Sequence, residues 1–158
     1  MARSLKTQSR EISRGATPTP PISEYLAYLV AQANRQINGR LDDDFRTEGV
    51  PVEQWRILKL LVESNGRSMG DLAQGALLNH PTLTKMIDRM VSDALVYRRA
   101  DRSDGRKVRI YISERGRALH ERLNLLANMH QAEIVEGCGD RQAEELKRLL
   151  EALIQRTA

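Results

Sequence analysis

The sequence predicts a mainly α-helical protein built around one basic β-hairpin, and three observations carry that expectation. Only one Phe, one Trp and four Tyr occur in 158 residues, so the 41% of apolar residues are chiefly Leu, Ile, Val, Ala and Met, which suit helix packing. Apolar residues recur at three and four positions through most of the chain, the period of one helix face. The exception is residues 96–113, where Val108, Ile110 and Ile112 alternate with Arg109 and Tyr111, as in a strand with one face buried. Asp104-Gly105 in its middle predicts a tight hairpin turn, whose central residues need φ > 0. Five Arg and one Lys stand against two Asp there, a local excess of +4 that equals the excess of 25 basic over 21 acidic residues in the whole chain.

Residues 1–21 mix Arg3, Lys6, Arg10 and Arg14 with Ser, Thr, Gly and Pro, and predict a disordered basic arm that cannot bury enough apolar surface to order itself. Ser23 is placed to cap a long helix in which Leu26, Leu29, Val30, Ala33, Ile37, Leu41 and Phe45 form one stripe. Gly49 supplies its stop, and Pro51 opens a second helix where a missing N–H is harmless. Val52, Trp55, Leu58, Leu61 and Val62 are its expected buried face, and Asn65-Gly66 ends it.

Ser68 with Asp71 predicts a capping-box variant at the start of a short helix over 69–74, followed by a linker over 75–78. Asn79 or His80 caps a fourth helix with Pro81 in its first turn. On a helical projection Leu83, Met86, Ile87, Met90 and Val91 share one side, leaving Thr82, Lys85, Asp88, Arg89 and Ser92 on the other. After the hairpin, Ser113 caps a long helix striped by Leu119, Leu123, Leu126, Ala127, His130 and Ile134. Gly137-Cys138-Gly139 breaks it, and Asp140 caps a last helix carrying Leu146, Leu149, Leu150, Leu153 and Ile154.

A pI near 9.5 makes a polyanion the expected partner. The single Cys138 fits a reducing compartment, and neither a signal peptide nor a long apolar span is visible, so a cytoplasmic protein with no membrane partner is expected. No Gly-rich phosphate loop, metal-ligand cluster or nucleophile with an adjacent base is present, which disfavours an enzyme and implies no cofactor or metal. Ser68 and Ser113 read as caps. His120 and His130, ten apart, face different sides of their helix, and Cys138 stands beside Glu136 and Asp140, which disfavour a thiolate.

Residues 49–113 follow the plan of a winged helix-turn-helix with a two-stranded β wing: a short helix, a turn, a helix with a polar outer face, then a basic ribbon. The stripes of the outer helices are too long for that module to cover. They predict a helical dimerisation region formed by residues 22–48 and 114–158 of two chains.

At this point the chain resembles a known family. Residues 22–157 look like a MarR-type winged helix-turn-helix regulator. The resemblance is carried by Pro51-Val52-Glu53-Gln54-Trp55-Arg56-Ile57-Leu58, by Asp71-Leu72-Ala73, by Leu83-Thr84-Lys85-Met86-Ile87-Asp88-Arg89-Met90-Val91, and above all by the run from Asp101 to Gly116. Departures are Arg102 where the family often has Pro, Gly105 where it often has Arg, and Ile112-Ser113 where it often has Leu-Thr. The resemblance implies a homodimer bound to a pseudo-palindromic operator in double-stranded DNA. It also implies repression relieved by a small effector, commonly an anionic aromatic compound, seated between the winged lobe and the dimer helices.

The expected base-reading residues are His80, Pro81, Thr82, Thr84, Lys85 and Arg89 of the fourth helix, since Lys and Arg donate to guanine edges or phosphates and apolar groups pack on thymine methyls. In the wing the resemblance implies that Arg106 enters the minor groove, whose negative potential attracts a guanidinium, with Asp104 orienting it. Arg98, Arg99, Arg102, Lys107 and Arg109 are expected to neutralise phosphates or form framework salt bridges. Leu41, Phe45, Trp55 and Tyr28 are candidate walls of an effector pocket, with Arg40 or Arg35 to meet a carboxylate, as in an aromatic acid or its coenzyme A thioester. Two other readings remain open: a winged-helix protein-interaction module and a non-specific DNA architectural protein.

Overall fold

A computed structural model describes residues 19–101, 104–105 and 107–157. The elements are one 3-10 turn at Ile22–Glu24, then α1 (Leu26–Thr47), α2 (Val52–Glu63), β1 (Arg67–Ser68), α3 (Met69–Ala76), α4 (His80–Ser92), β2 (Val96–Ala100), β3 (Val108–Ile112), α5 (Glu114–Cys138) and α6 (Asp140–Thr157). The chain divides into two compact units between Gln36 and Ile37. In the first unit no described residue is buried, and Leu26, Leu29 and Val30 are exposed.

In the second unit one core joins Leu41 and Phe45 of α1 to Ile57, Leu58 and Leu61 of α2, Leu72 of α3, Leu83, Ile87 and Met90 of α4, Ile110 and Ile112 of β3, and Leu119 and Leu123 of α5. Removing such side chains from water is the main favourable term in folding, worth about 1.5–3 kcal/mol for each large aliphatic or aromatic residue. The long-helix stripe therefore serves the core only over its last turn and a half.

Three helices end alike. Gly49, Leu77 and Ala94 take φ of +68°, +59° and +56°. In each case the next residue donates its N–H back five positions: Val50 to Phe45 (3.1 Å), Leu78 to Ala73 (2.9 Å) and Leu95 to Met90 (2.8 Å). This left-handed closure satisfies carbonyls that the helix leaves open, and it turns an apolar residue inward. Val50 and Leu95 are buried.

Several local expectations are corrected. Ser23 lies inside the 3-10 turn, because Glu24 N–H bonds Pro21 O at 2.9 Å, and α1 starts three residues later. Pro51 is the N-cap of α2 and not its first residue. The buried face of α2 is Val52, Gln54, Ile57, Leu58 and Leu61, while Trp55 is half-buried and Val62 exposed. The third helix extends two residues beyond its expected end, through Gly75, before Leu77 closes it. Asn79 is the cap of α4, accepting from Thr82 N at 2.9 Å. Asp140 is the first residue of α6, whose Leu146, Leu149 and Ile154 are exposed.

The sheet has three strands in the order β1-β3-β2, one more than the wing alone. Gly66, at φ +82°, turns the chain so that Arg67 pairs with Ile110, and Asn65 Oδ1 accepts Ile112 N–H at 3.0 Å. A side chain at Gly66 would meet the Tyr111 ring at 2.8 Å. The wing connection is also wider than a tight hairpin. Val108 pairs with Ala100, Lys107 N–H bonds Asp104 O at 2.9 Å, and Gly105 is not at positive φ. Val108 projects past the core and is exposed, whereas Ile110 and Ile112 are buried.

The wing returns to the end of α4 at one crowded point. Leu95 O accepts the N–H and the hydroxyl of Ser113, both at 3.0 Å, and a Cβ on Gly116 would lie 2.2 Å from the same oxygen. Gly116→Ala is expected to destabilise the fold by roughly 3 kcal/mol or more, the range of overpacking and lost hydrogen bonds combined. Urea denaturation checks this, and a variant within about 0.5 kcal/mol of wild type, the ordinary surface range, would contradict it.

Candidate nucleic-acid interface

The candidate interface is built on α4. Its apolar side, Leu83, Ile87 and Met90, is fully buried, which fixes the rotation of the helix and leaves His80, Pro81, Thr82, Thr84, Lys85 and Arg89 exposed. All six expected readers are accessible, with Thr82, Lys85 and Arg89 together on the flank beside α2 and His80 half a turn round the helix from Arg89. Thr84 donates its hydroxyl back to His80 O at 2.9 Å, leaving its methyl and lone pairs outward. Arg89 lies 3.8 Å from Asp93 as a solvent-exposed pair, while Lys85 makes no ion pair among the described residues. The i,i+4 pairing that would occupy both cations thus engages only Arg89, and weakly.

The helix before it is held by a full capping box. Ser68 Oγ accepts Asp71 N–H at 3.1 Å, and Asp71 Oδ2 accepts Ser68 N–H at 3.2 Å. Hydrogen bonds from Ser68 keep the Asp71 carboxyl below the usual carboxylate range.

Three of the described wing cations, Arg98, Lys107 and Arg109, are paired inside the protein. On the inner face of β2, Arg98 donates to Asp88 of α4 at 2.6 Å, tying the wing to the recognition helix. On the outer face Arg109 donates from Nε to Asp101 and from Nη1 to Gly66 O, the latter at 2.9 Å. Asp101 is buried, and its carboxylate also accepts the N–H of Asp104 at 3.3 Å. The hydrogen bond with Asp101 raises the Arg109 pKa further. Tyr97 and Tyr111 stack across the strands at 5.5 Å, with Arg99 5.7 Å from the Tyr97 ring centre. Lys107 is exposed and lies 3.5 Å from Asp104. Arg102 and Arg106 lie outside the described residues.

The expected effector residues are only partly grouped. Phe45 and Trp55 meet edge to face at 5.7 Å, Phe45 and Leu41 are buried in the core, and Arg40 is exposed, 3.5 Å from Glu133 of α5. Arg35 and Tyr28 are exposed in the first unit. Three buried ring nitrogens have no hydrogen-bond partner: Trp55 Nε1 on α2, and His120 Nε2 and His130 Nε2 on α5. Burial, reinforced by the Lys59 charge, pushes His120 below its ordinary pKa and keeps it neutral. The period of α5 could have shown that both histidines share the Leu123 side. The expectation that they face different sides is corrected, because both are buried. Gln54, missed in the sequence, carries no signal beyond its polarity on an otherwise apolar face.

An exposed polar helix on a buried apolar seat, a capped helix before it and a basic antiparallel wing after it define a winged helix-turn-helix DNA-binding protein. The model of the MarR family matches residues 48–107. The homoprotocatechuate degradative operon repressor of Escherichia coli is 33% identical over 102 residues, covering 65% of this chain and 69% of that one. The MarR family transcriptional regulator SPO1453 of Silicibacter pomeroyi DSS-3 superposes with a TM-score of 0.78 at 29% identity, over 89% of this chain and 100% of that one. The repressor CouR, solved bound to a 23-mer DNA duplex, shares the fold at a TM-score of 0.77 and 23% identity, over 84% of this chain and 94% of that one. The chain belongs to the MarR family and is a DNA-binding transcriptional regulator, not an enzyme. No helix among the described residues is long and apolar enough to cross a membrane.

Arg109→Met is expected to lower stability by about 1–3 kcal/mol, because it removes a charged donor to the buried Asp101 carboxylate and the bond to Gly66 O. It should also weaken duplex binding at least about tenfold by loosening the wing base, on the order of the 1.4 kcal/mol that a tenfold change represents. Thermal melting and a fluorescence anisotropy titration read the two effects, and unchanged values in both would contradict the anchoring role.

Proposed function

We propose that the protein is a dimeric repressor that reads a pseudo-palindromic operator through α4 and is released by a small aromatic acid or aryl coenzyme A thioester. The observation that carries the DNA-reading part is the exposure of His80, Pro81, Thr82, Thr84, Lys85 and Arg89 around a fully buried seat, with Thr82, Lys85 and Arg89 together on one flank. In this reading Lys85 and Arg89 meet guanine edges or phosphates, and Pro81 and the Thr methyls pack on thymine. Arg106 enters the flanking minor groove, with Asp104 beside it as its orienting carboxylate, and Arg102 and Lys107 neutralise phosphates. Residues 49–113 form the DNA-binding region and residues 1–21 a basic arm. CouR, solved on duplex DNA with the same fold, supports this placement of function.

Residues 22–48 and 114–158 serve dimerisation. Their support is the apolar surface that single helices leave open: Leu26, Leu29 and Val30 on α1, Leu125 and Met129 on α5, and Leu149 and Ile154 on α6. A second copy supplies the same surface in return, as two-fold symmetry requires. Effector binding is assigned to Arg40, Leu41, Phe45 and Trp55. The unpartnered Trp55 Nε1 supports a ligand that accepts a hydrogen bond, since such a buried donor costs about 1–3 kcal/mol unsatisfied. The similar Escherichia coli protein represses an operon for degrading homoprotocatechuate, an aromatic acid, which supports that ligand class.

Lys85→Ala, Arg89→Ala and Arg106→Ala should each weaken binding to a selected operator about tenfold or more with melting temperature unchanged, and each lost phosphate contact should reduce the salt slope by about one. Anisotropy titrations from low to physiological salt check this, and three variants binding like wild type would remove α4 and the wing tip from the interface. Homoprotocatechuate, titrated into the protein–operator complex, tests the ligand class. Trp55 is the single tryptophan, so quenching of its fluorescence together with DNA release is expected. Release without a fluorescence change would move the effector away from Trp55.

A further inference from the structure

Between the N-terminus of α2 and the flank of α4 lies an open depression of about 260 Å³, lined by Pro51, Gln54, Thr82, Lys85, Met86 and Arg89. Gln54 is the unusual member. It is 95% buried, being 5% exposed, on the core side of α2, yet its side-chain amide makes no hydrogen bond to any described residue. The amide is not sealed from water, because it opens on the depression, where a solvent partner can be exchanged for a ligand acceptor. The groups around it complete a consistent chemistry. Lys85 has no ion-pair partner among the described residues, Arg89 has only a long exposed one to Asp93, and Thr82 adds a hydroxyl. No side chain caps the α2 N-terminus, so its first N–H groups and its positive dipole end stand beside the same depression. Glu53 is in that first turn but is not among the lining residues.

We infer that this depression is a seat for one backbone phosphodiester of duplex DNA, with the Gln54 amide donating to a phosphate oxygen and Lys85 and Arg89 supplying the charge. The inference rests on α4 being the DNA-reading helix, and it adds α2 as a second element that grips the strand that α4 lies against. Clamped from two helices, one phosphate sets the depth and rotation of α4 in the groove, which is how backbone contacts position a reader without carrying sequence information. In the free protein the amide meets solvent in the depression, and on DNA it exchanges that solvent for a phosphate oxygen.

The test compares wild type, Gln54→Met, Gln54→Glu, Lys85→Ala and Arg89→Ala on a random-sequence duplex and on a duplex selected by the wild-type protein, with thermal melting alongside. Gln54→Met is expected to melt close to the wild-type temperature, because the amide it removes is bonded to no described residue, and to bind both duplexes about three- to tenfold more weakly. Its salt slope should stay at the wild-type value, since a neutral group releases no counterion, whereas Lys85→Ala should lose about one unit of slope. Gln54→Glu, which sets a carboxylate against the phosphate, should bind at least about tenfold more weakly on both duplexes. Should Gln54→Glu fail to fold, Gln54→Met decides alone. The seat is overturned if the folded Gln54 variants bind within about twofold of wild type while Lys85→Ala binds weakly, or if their loss is confined to the selected duplex, as a tilt of α4 would produce. Should Lys85→Ala and Arg89→Ala also bind like wild type, the α4 reading itself fails and takes the seat with it.

Discussion

The carbonyl of Leu95 is the point on which the geometry of the DNA-binding unit depends. It follows Ala94, whose left-handed backbone closes α4, and it accepts two hydrogen bonds from Ser113, which ends the wing and caps α5. Gly116 lies against the same oxygen, where a methyl group would not fit. Recognition helix, wing and the long fifth helix therefore diverge from one junction with no slack in it. Arg98 to Asp88 adds a second tie between wing and α4, exposed and so weaker. A reader and a wing whose spacing is set this way can engage a major groove and its neighbouring minor groove together.

Net charge gives a misleading picture of where the interface lies. The wing holds an excess equal to that of the whole chain, yet Arg98, Arg109 and Lys107 each face an aspartate within the protein. Arg109 with the buried Asp101 acts as framework, and it crosses to Gly66 at the foot of β1. Lys85 of α4, by contrast, makes no ion pair among the described residues. Affinity for a polyanion follows from cations that can leave their counterions for phosphates, so a cation already paired within the protein contributes less to it.

Helix identity, order and the inner face of the wing were legible in the sequence because they depend on apolar period and on caps with local chemistry, such as Ser68 with Asp71 and Ser113 with Gly116. What was not legible depends on partners distant in sequence. The third strand needs Asn65 and Gly66 to meet Ile112 and Tyr111, more than 40 residues away. The ends of α3 and α4 use Leu77 and Ala94 in a conformation that usually announces itself as glycine. Asp104-Gly105 carries a tight-turn signal, but the Asp101 carboxylate and the Lys107 N–H organise a longer loop around it. On α4 the apolar period was sufficient to place Leu83, Ile87 and Met90 in the core and the candidate readers at exposed positions. For the effector residues it was not, because Leu41 and Phe45 fill the core while Arg40 sits outside it.

Methylation by dimethyl sulfate reports both grooves at once, at guanine N7 in the major groove and adenine N3 in the minor groove. On a duplex selected by the protein, the account predicts protected guanine N7 positions where α4 lies, in two half-sites about one helical turn apart, with protected adenine N3 positions flanking them where the wings enter. Unprotected guanine N7 positions throughout a bound duplex would contradict the claim that α4 reads the major groove.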